Sequence, residues 1–462
     1  MGLKLHPPHF VDRKTEVGLL DDLWAKNRGL GVVYGRRRIG KTRLLLKWIE
    51  NKPHVYYQAG LYSHELNLQE LAEAFEEYLG LEGFSKVKFS SLDVLLEHAL
   101  RMWNDRLVIV IDEVTYWARS YPGIVSELQR FIDHVMPEHQ AVLVLTGSII
   151  GVVMRDLVGG GSPLFGRASL RVRLKELSPW CLPYFLPGYN ARELVETYSL
   201  VGGVPYYLVE WPSNMKPFEA YLRLFAPGGM LEDEPLMVLR EEVRNPSPYL
   251  SIIKAIATGR RTLGEISSYT GLPLGHVSRY LSSLIQLGLI DYEKLLPRRR
   301  KRRFLTVKDR LLYSYYSIVE PYRHILFTRE SLEVPGGMKA RYTGVIAEGW
   351  ERLASLHALS ILSKQLGFKV SEAGRLLFRG EEVNHVIIDN DNRKVLAVEA
   401  KWSNLTSREI QRIDYEVKAK VNRVFPGYDI VTAIYSRATS NTERRDTIII
   451  TPGDLPWKRN CV

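Results

Sequence analysis

Five short apolar runs punctuate residues 30–174, and stretches with helical spacing separate them. The runs are Leu30-Gly31-Val32-Val33-Tyr34, His54-Val55-Tyr56-Tyr57-Gln58, Leu107-Val108-Ile109-Val110-Ile111, Ala141-Val142-Leu143-Val144-Leu145-Thr146 and Leu170-Arg171-Val172-Arg173-Leu174. Mostly unbroken apolar runs of this length, alternating with helical segments, predict strands of a parallel α/β sheet covered on both faces. Residues 43–49, 92–102 and 125–135 supply the helices between them.

The pattern changes after Asn245-Pro246-Ser247-Pro248, a linker signal. Three helices are predicted at 249–258, from Thr262, and at 275–287. Thr262 followed three residues later by Glu265 is a capping box. In the third helix Val277, Leu281, Leu284 and Ile285 make the apolar face, which leaves His276, Ser278, Arg279 and Ser282 outside. Strands at 289–292 and 304–306 follow. Past Val334-Pro335-Gly336-Gly337 come an amphipathic helix at 342–362, strands at 375–378, 383–389 and 395–400, a helix at 406–420 and a strand at 429–436.

The first apolar run leads into Gly35-Arg36-Arg37-Arg38-Ile39-Gly40-Lys41-Thr42 and then a helix beginning with Arg43. This is the G-x-x-x-x-G-K-[ST] pattern in strand–loop–helix context, which cradles the phosphates of ATP. Glycines let the backbone wrap an anion, and the helix start points N–H groups at it. Lys41 supplies a charge for the β- and γ-phosphates and Thr42 a hydroxyl for Mg²⁺. The third run ends in Asp112-Glu113, where Asp112 is placed to hold Mg²⁺ and Glu113 to polarise the attacking water.

A chain of 462 residues is too long for one core. Hydrophobic residues at 45% and charged residues at 25% fit a soluble globular protein. No apolar run reaches the length of a membrane span, and Met1–Pro8 lacks a signal-peptide pattern. Cys181 and Cys461 are too few for a disulfide framework or a cysteine metal cluster. A cytoplasmic location is the expectation. The net charge of +11 is uneven: residues 290–310 hold nine Lys/Arg against Asp291, Glu293 and Asp309, which points to a polyanionic partner there.

Phe10-Val11-Asp12-Arg13-Lys14-Thr15-Glu16 resembles the F-x-[DG]-R-x-x-E opening of archaeal AAA+/STAND-type P-loop ATPases. The loop itself, Thr146-Gly147-Ser148, Ser162-Pro163-Leu164-Phe165-Gly166-Arg167 and Gly202-Gly203-Val204-Pro205-Tyr206-Tyr207-Leu208 resemble further motifs of that family, in the same order. The resemblance implies that Ser148 senses the γ-phosphate and that Pro205, in a helical lid, lies near the adenine. It implies for Arg167 a charge-neutralising role in hydrolysis, in cis or from a neighbouring subunit of a homo-oligomer, with Arg155 as runner-up.

The segment from Leu263 to Ile290 resembles a winged helix-turn-helix, whose third helix would enter the major groove of double-stranded DNA. Its wing would carry Arg298-Arg299-Arg300-Lys301-Arg302-Arg303, a run suited to phosphate. The α-β-β-β-α-β order at the end, with Glu399-Ala400-Lys401 at a strand terminus, resembles the PD-(D/E)xK nuclease fold. That resemblance implies metal-binding carboxylates with Glu348 on the helix and Glu399 and Lys401 on the strand. Where an aspartate is expected the chain has Asn384, with Glu382 two residues away on the same face of an ideal strand.

The expected organisation is an ATPase core with lid over 1–237 (lid about 176–237), a winged helix-turn-helix over 238–330, and a nuclease-like α/β domain over 338–462, degenerate if Asn384 has cost it its metal. Three functions fit: an Mg²⁺-dependent ATPase coupling nucleotide state to DNA binding or processing, a nucleotide-gated DNA-binding regulator or defence switch with little turnover, and an ATP-gated metal-dependent nuclease. In the first, hydrolysis would change the angle between core, lid and winged helix.

Overall fold

The computed structural model describes residues 10–297, 303–326, 335–439 and 447–461. Arg298, Arg299, Arg300, Lys301 and Arg302 of the basic run therefore lie outside the described residues, and Arg303 is the member that is described. The chain divides into two compact units, one of residues up to 177 with 204–206 and 461, the other of 178–203 with 207–460.

The first unit is built on a five-stranded sheet. Its strands are β1 (Gly29–Tyr34), β2 (His54–Gln58), β3 (Leu107–Asp112), β4 (Ala141–Gly147) and β5 (Ala168–Arg173). All pairings are parallel and the order is β2-β3-β4-β1-β5. The five apolar runs thus form the strands expected of them. β4, which follows the acidic strand β3 in the chain, lies between β3 and the loop strand β1. β3 and β4 are buried along their whole length, which explains why both read as unbroken apolar runs. Each buried Val, Leu or Ile there contributes about 1.5–3 kcal/mol of burial free energy. The sheet's core continues into the helices His64–Leu79 and Leu92–Trp103 through Leu71, Phe75, Leu95 and Leu96.

The second unit holds the helix Ala191–Val201, the helix-turn-helix and a C-terminal α/β domain. Helices Ser247–Ala257, Leu263–Thr270 and Leu274–Leu287 match the expected three, and the capping box is formed: Thr262 Oγ1 accepts from Glu265 N at 3.4 Å, and Glu265 Oε2 accepts from Thr262 N at 2.9 Å. β6 (Ile290–Tyr292) pairs antiparallel with β8 (Leu305–Val307), one residue later at each start than the pattern suggested. Between them the chain makes β7 (Leu295–Leu296), which leaves the wing and adds in parallel to the edge of the C-terminal sheet. Two leucines after a polar pair carry no periodicity, so nothing local marked them as a strand.

That sheet is mixed, in the order β13-β12-β11-β10-β9-β7. Its further strands are β9 (Glu372–Phe378), β10 (Glu381–Asp389), β11 (Lys394–Leu405), β12 (Asp429–Thr439) and β13 (Thr447–Ile450). The expected α-β-β-β-α-β order is present, extended by β13. The first helix starts at Gly336, inside what read as a linker, because Pro335 sits just before its first turn, where a missing N–H costs nothing. Gly349 in this helix permits close packing, since a Cβ there would collide with Ser199 of the helix Ala191–Val201.

Candidate functional site

The phosphate-loop residues sit at the carboxyl end of β1. Gly40 has φ 94°, a left-handed conformation that favours glycine, and the helix Lys41–Ile49 begins directly after it. A Cβ at Gly35 would stand 2.7 Å from the Leu174 carbonyl oxygen. Arg13 is buried and pins this loop from beneath: its Nη2 donates to Ile39 O at 3.2 Å and to Lys175 O at 2.8 Å. Glu16 lies 3.3 Å from its Nη1. The opening motif, recognised by resemblance, therefore has a physical task, which is to hold the loop carbonyl of Ile39.

Lys41 is buried, with Nζ donating to Gly35 O at 3.1 Å and lying 3.4 Å from Glu113 Oε1. Thr42 Oγ1 donates to Asp112 Oδ2 at 2.6 Å, so the two groups expected to share Mg²⁺ are adjacent. Asp112 is fully buried. It also accepts from Tyr56 OH at 2.7 Å, from Thr146 Oγ1, and from Glu113 N at 2.9 Å. Four donors converge on this carboxylate and hold it in place facing the loop. Burial, and then the Asp112 charge, push the Tyr56 phenol well up, so it remains a donor. A hydroxyl, a carboxylate and a helix start side by side suit a hard oxygen-ligated cation with a phosphate.

Glu113 adopts φ 53° at the start of the helix Val114–Ser120. Its Oε2 accepts from Ser148 N at 2.9 Å and from Ser148 Oγ at 2.7 Å. The structure thus brings Lys41, Thr42, Asp112, Glu113 and Ser148 into one constellation. Ser148 was expected at the γ-phosphate, and here it holds the carboxylate expected to polarise water. Pro205 opens the helix Pro205–Val209 and lies beside Gly40, where a Cβ would stand 3.8 Å from its Cγ. The Arg38 guanidinium rests 4.3 Å above the Tyr206 ring. Arg36 lies 3.9 Å from Glu176, and Arg37 and Arg43 are exposed. The sequence reading missed Tyr56 and Thr146. Neither the alternation in β2 nor the apolar run of β4 singled them out, and their importance comes from the neighbouring strand β3, which carries Asp112.

Arg167 is not brought to this constellation. It directly precedes β5, whose first residue pairs with Leu30, whereas the phosphate loop follows Tyr34 at the other end of β1. Its guanidinium grips Asp133 with two bonds of 2.7 Å and donates to Pro163 O. This placement does not support a role in cis at the phosphates; the role implied by resemblance would need a neighbouring subunit, and otherwise Arg167 is an arginine that pairs with Asp133. Arg167→Ala is expected to leave turnover unchanged in dilute protein. The loss of ~10³-fold or more that removal of a trans arginine brings should appear only at concentrations where chains associate, which ATPase assays over a dilution series would reveal. Arg155 is exposed and pairs with its neighbour Asp156.

In the second unit His276, Ser278, Arg279 and Ser282 are exposed on the helix Leu274–Leu287, while Val277, Leu281, Leu284 and Leu287 are buried. Arg303 is exposed and lies over the Tyr292 ring.

The nuclease-like residues are arranged differently from expectation. Glu348 is not open to a metal: it is held by Arg310 Nη1 and by Arg352 Nε. β10 bulges between Val383 and Val386, which interrupts the strand's period of two just beyond Glu382. Glu382 pairs with Arg375, and Asn384 Oδ1 accepts from Ala400 N at 2.8 Å. Glu399 Oε1 lies 2.8 Å from Lys401 Nζ. Among the described residues no group of three or more His, Cys, Asp or Glu could hold a metal ion. Nor is any described helix long and apolar enough to cross a membrane.

Residues 10–211 match the model of an ATPase domain found predominantly in Archaea, residues 249–294 match an IclR helix-turn-helix domain, and residues 315–413 match a family of archaeal and bacterial proteins of unknown function. An uncharacterised protein of Methanocaldococcus jannaschii is 29% identical over 456 residues, covering 95% of this chain and 98% of its own. An uncharacterised ATP-binding protein of the same organism is 50% identical over 44 residues, 9% of this chain and 75% of that protein. Among solved structures, the Walker-type ATPase of Pyrococcus abyssi superposes with a TM-score of 0.52 at 20% identity, over 67% of this chain and 96% of that one, a likeness of fold. Residues 10–211, with their loop and acidic strand in the arrangement described, thus form an ATPase domain of the archaeal type, and the protein is an ATPase in which that domain is joined to a helix-turn-helix domain.

Proposed function

We propose that this ATPase binds double-stranded DNA through its helix-turn-helix and that nucleotide state governs that binding. The observation carrying the reading is the helix Leu274–Leu287, which turns its apolar side inward and leaves His276, Ser278 and Arg279 exposed at its first turns, where a recognition helix meets base edges. The basic residues 298–303 would bind phosphates beside it.

In this reading the loop N–H groups and Lys41 hold the triphosphate, Lys41 exchanging Glu113 for phosphate oxygens. Thr42 and Asp112 would hold Mg²⁺, which would supply charge neutralisation for the phosphates. Glu113 orients the attacking water, with Ser148 fixing its carboxylate. Pro205 bounds the site beside Gly40. The chain leaves the ATPase unit on either side of Val204–Tyr206, so a displacement of these residues is passed on covalently towards the DNA-binding half.

The test is ATP hydrolysis by the full chain with and without duplex DNA, together with DNA affinity over a salt series. Turnover is expected to rise with duplex. Alanines across 298–303 should flatten the slope of log K against log salt by about 0.9 for each phosphate that the wing no longer neutralises. An unchanged slope would remove the wing from the interface. Negligible turnover with nucleotide retained, and affinity that differs between ADP and ATP, would favour a switch over a motor.

A further inference from the structure

The resemblance of the C-terminal domain to metal-dependent nucleases raises the question of which cation balances its carboxylates, and the residues present do not fit a divalent metal. Arg375, on β9, lies among three acids from three different elements. Its Nη2 is 2.9 Å from Glu351 on the helix Gly336–His357, its Nη1 pairs with Glu382 on β10, and its Nε is 2.9 Å from Glu293, which follows β6 of the wing. The Nε–H does not point along a hydrogen-bond line, so this last approach is an ion pair. Glu351 is the helix acid that reaches this cluster. It stands three residues beyond Glu348, almost one helical turn along, and Glu348 is spent on Arg310 and Arg352.

The remaining groups are neutralised within the domain. Glu399 has Lys401, and Asn384 offers a neutral oxygen already used by Ala400 N. Divalent cations such as Mg²⁺ and Mn²⁺ require free anionic oxygens, and here each acid of the set faces a fixed positive side chain. The same arginine also ties down the wing. Its backbone N donates to Lys294 O at 2.8 Å, and Leu295 and Leu296 pair with Arg375 and Leu376. A cavity of about 470 Å³ is lined by Glu293, Lys294, Glu351, Arg375, Asn384 and His385, so wing base and carboxylate cluster meet around one space. The buried Nε2 of His385 has no partner. Burial, and then the charges of Arg375 and Lys294, hold this imidazole down to about 4, leaving it neutral at pH 7.

We propose that Arg375 takes, as a built-in cation, the place a divalent metal has in a nuclease-like domain, and that the acid cluster serves as a clasp on the base of the wing. The C-terminal domain is then a holder for the DNA-binding wing. Arg375 is its positioning residue, and no hydrolytic step runs through the cluster.

Mn²⁺ binding to the full chain, followed by the electron paramagnetic resonance of the free ion, tests this. Wild type, Glu351→Gln and Glu399→Gln should bind the same amount of Mn²⁺, since these acids hold none. Arg375→Ala should gain a Mn²⁺ site, because its three acids lose their cation next to a neutral, unpartnered histidine. Adding Glu351→Gln to Arg375→Ala should remove that site. A fall in Mn²⁺ binding on Glu399→Gln or Glu351→Gln alone would overturn the proposal, as would an Arg375→Ala variant that folds and binds no more Mn²⁺ than wild type. If the alanine variant does not fold, Arg375→Gln, which keeps the bulk, takes its place in the titration. Glu293→Gln reads the clasp: the Arg375 amide is expected to lose protection from hydrogen exchange as β7 loosens, and unchanged protection would show that the ion pair does not hold the wing.

Discussion

Glu113→Gln is expected to lower kcat for ATP hydrolysis by roughly 10²–10⁴-fold, the usual contribution of a positioned base, while nucleotide remains bound. The groups that would grip the phosphates, the loop backbone, Lys41 and Thr42, are untouched by this exchange. What changes is the acceptor aimed at water. Glutamine keeps the size and one oxygen of the side chain, so Ser148, which donates to Oε2 through both N–H and hydroxyl, can still fix its orientation. The 3.4 Å ion pair with Lys41 disappears, which frees the lysine for phosphate. Affinity for ATP should therefore hold or tighten as turnover falls. Filter binding and single-turnover hydrolysis on the same preparation would check this. A variant that loses binding and turnover together would place Glu113 in the nucleotide cradle instead.

Glu348→Ala should destabilise the second unit by about 3 kcal/mol, the lower end of the range for removing one partner of a buried ion pair, because this side chain keeps 27% of its surface exposed. The carboxylate stands between Arg310, which is 2% exposed, and Arg352. Arg310 is itself tied by Nη2 to Ser199 O at 2.6 Å and Val345 O at 3.2 Å, so it cannot swing out to water when its acid is removed. The destabilisation would appear in the denaturant midpoint of the transition that reports on this unit, with ATP hydrolysis at low temperature little changed. The pH dependence has a definite sign. Burial opposes the charge on Glu348, but Arg310 and Arg352 outweigh it and hold the carboxyl below its ordinary range. A lowered folded pKa gives stability that is present above the unfolded pKa and lost as pH falls through the folded one. Wild type should therefore lose this increment in acid below the ordinary glutamate range, and Glu348→Ala should show a flatter profile there. Equal profiles would mean that the triad contributes nothing net.

Glu348, which resemblance to a nuclease fold implied as a metal-binding carboxylate, is paired with Arg310 and Arg352 instead, and this shows how far a motif reading reaches. Glu348 and Glu351 lie on one helix of the domain, and sequence alone offered no reason to prefer the second. The choice depends on Arg310, 38 residues earlier, and on Arg375, 24 residues later, which claim one acid each. Likewise the period of two in β10 is interrupted between Val383 and Val386, and such a bulge is a property of the pairing with β9. Arg167 had the right motif around it, but its position was decided by strand register.

What the sequence determined by itself was the ATPase core. Each of the five runs is a strand; β1, β3 and β4 are buried almost throughout while the edge strands β2 and β5 alternate, and both patterns are local signals that burial imposes directly on residue choice. The phosphate loop was equally legible, because its chemistry is done by consecutive backbone N–H groups and two adjacent side chains. The helix-turn-helix was readable for a similar reason, since a capping box and a 3.6-residue period are short-range. Only the tertiary structure decided which side chains act together across elements: Tyr56 and Thr146 on Asp112, Ser148 on Glu113, Arg13 on Ile39, and the wing strand on the C-terminal sheet. Such pairings join residues tens of positions apart. Their energy comes from hydrogen bonds and ion pairs formed when buried groups find one another, and that leaves no period in the chain.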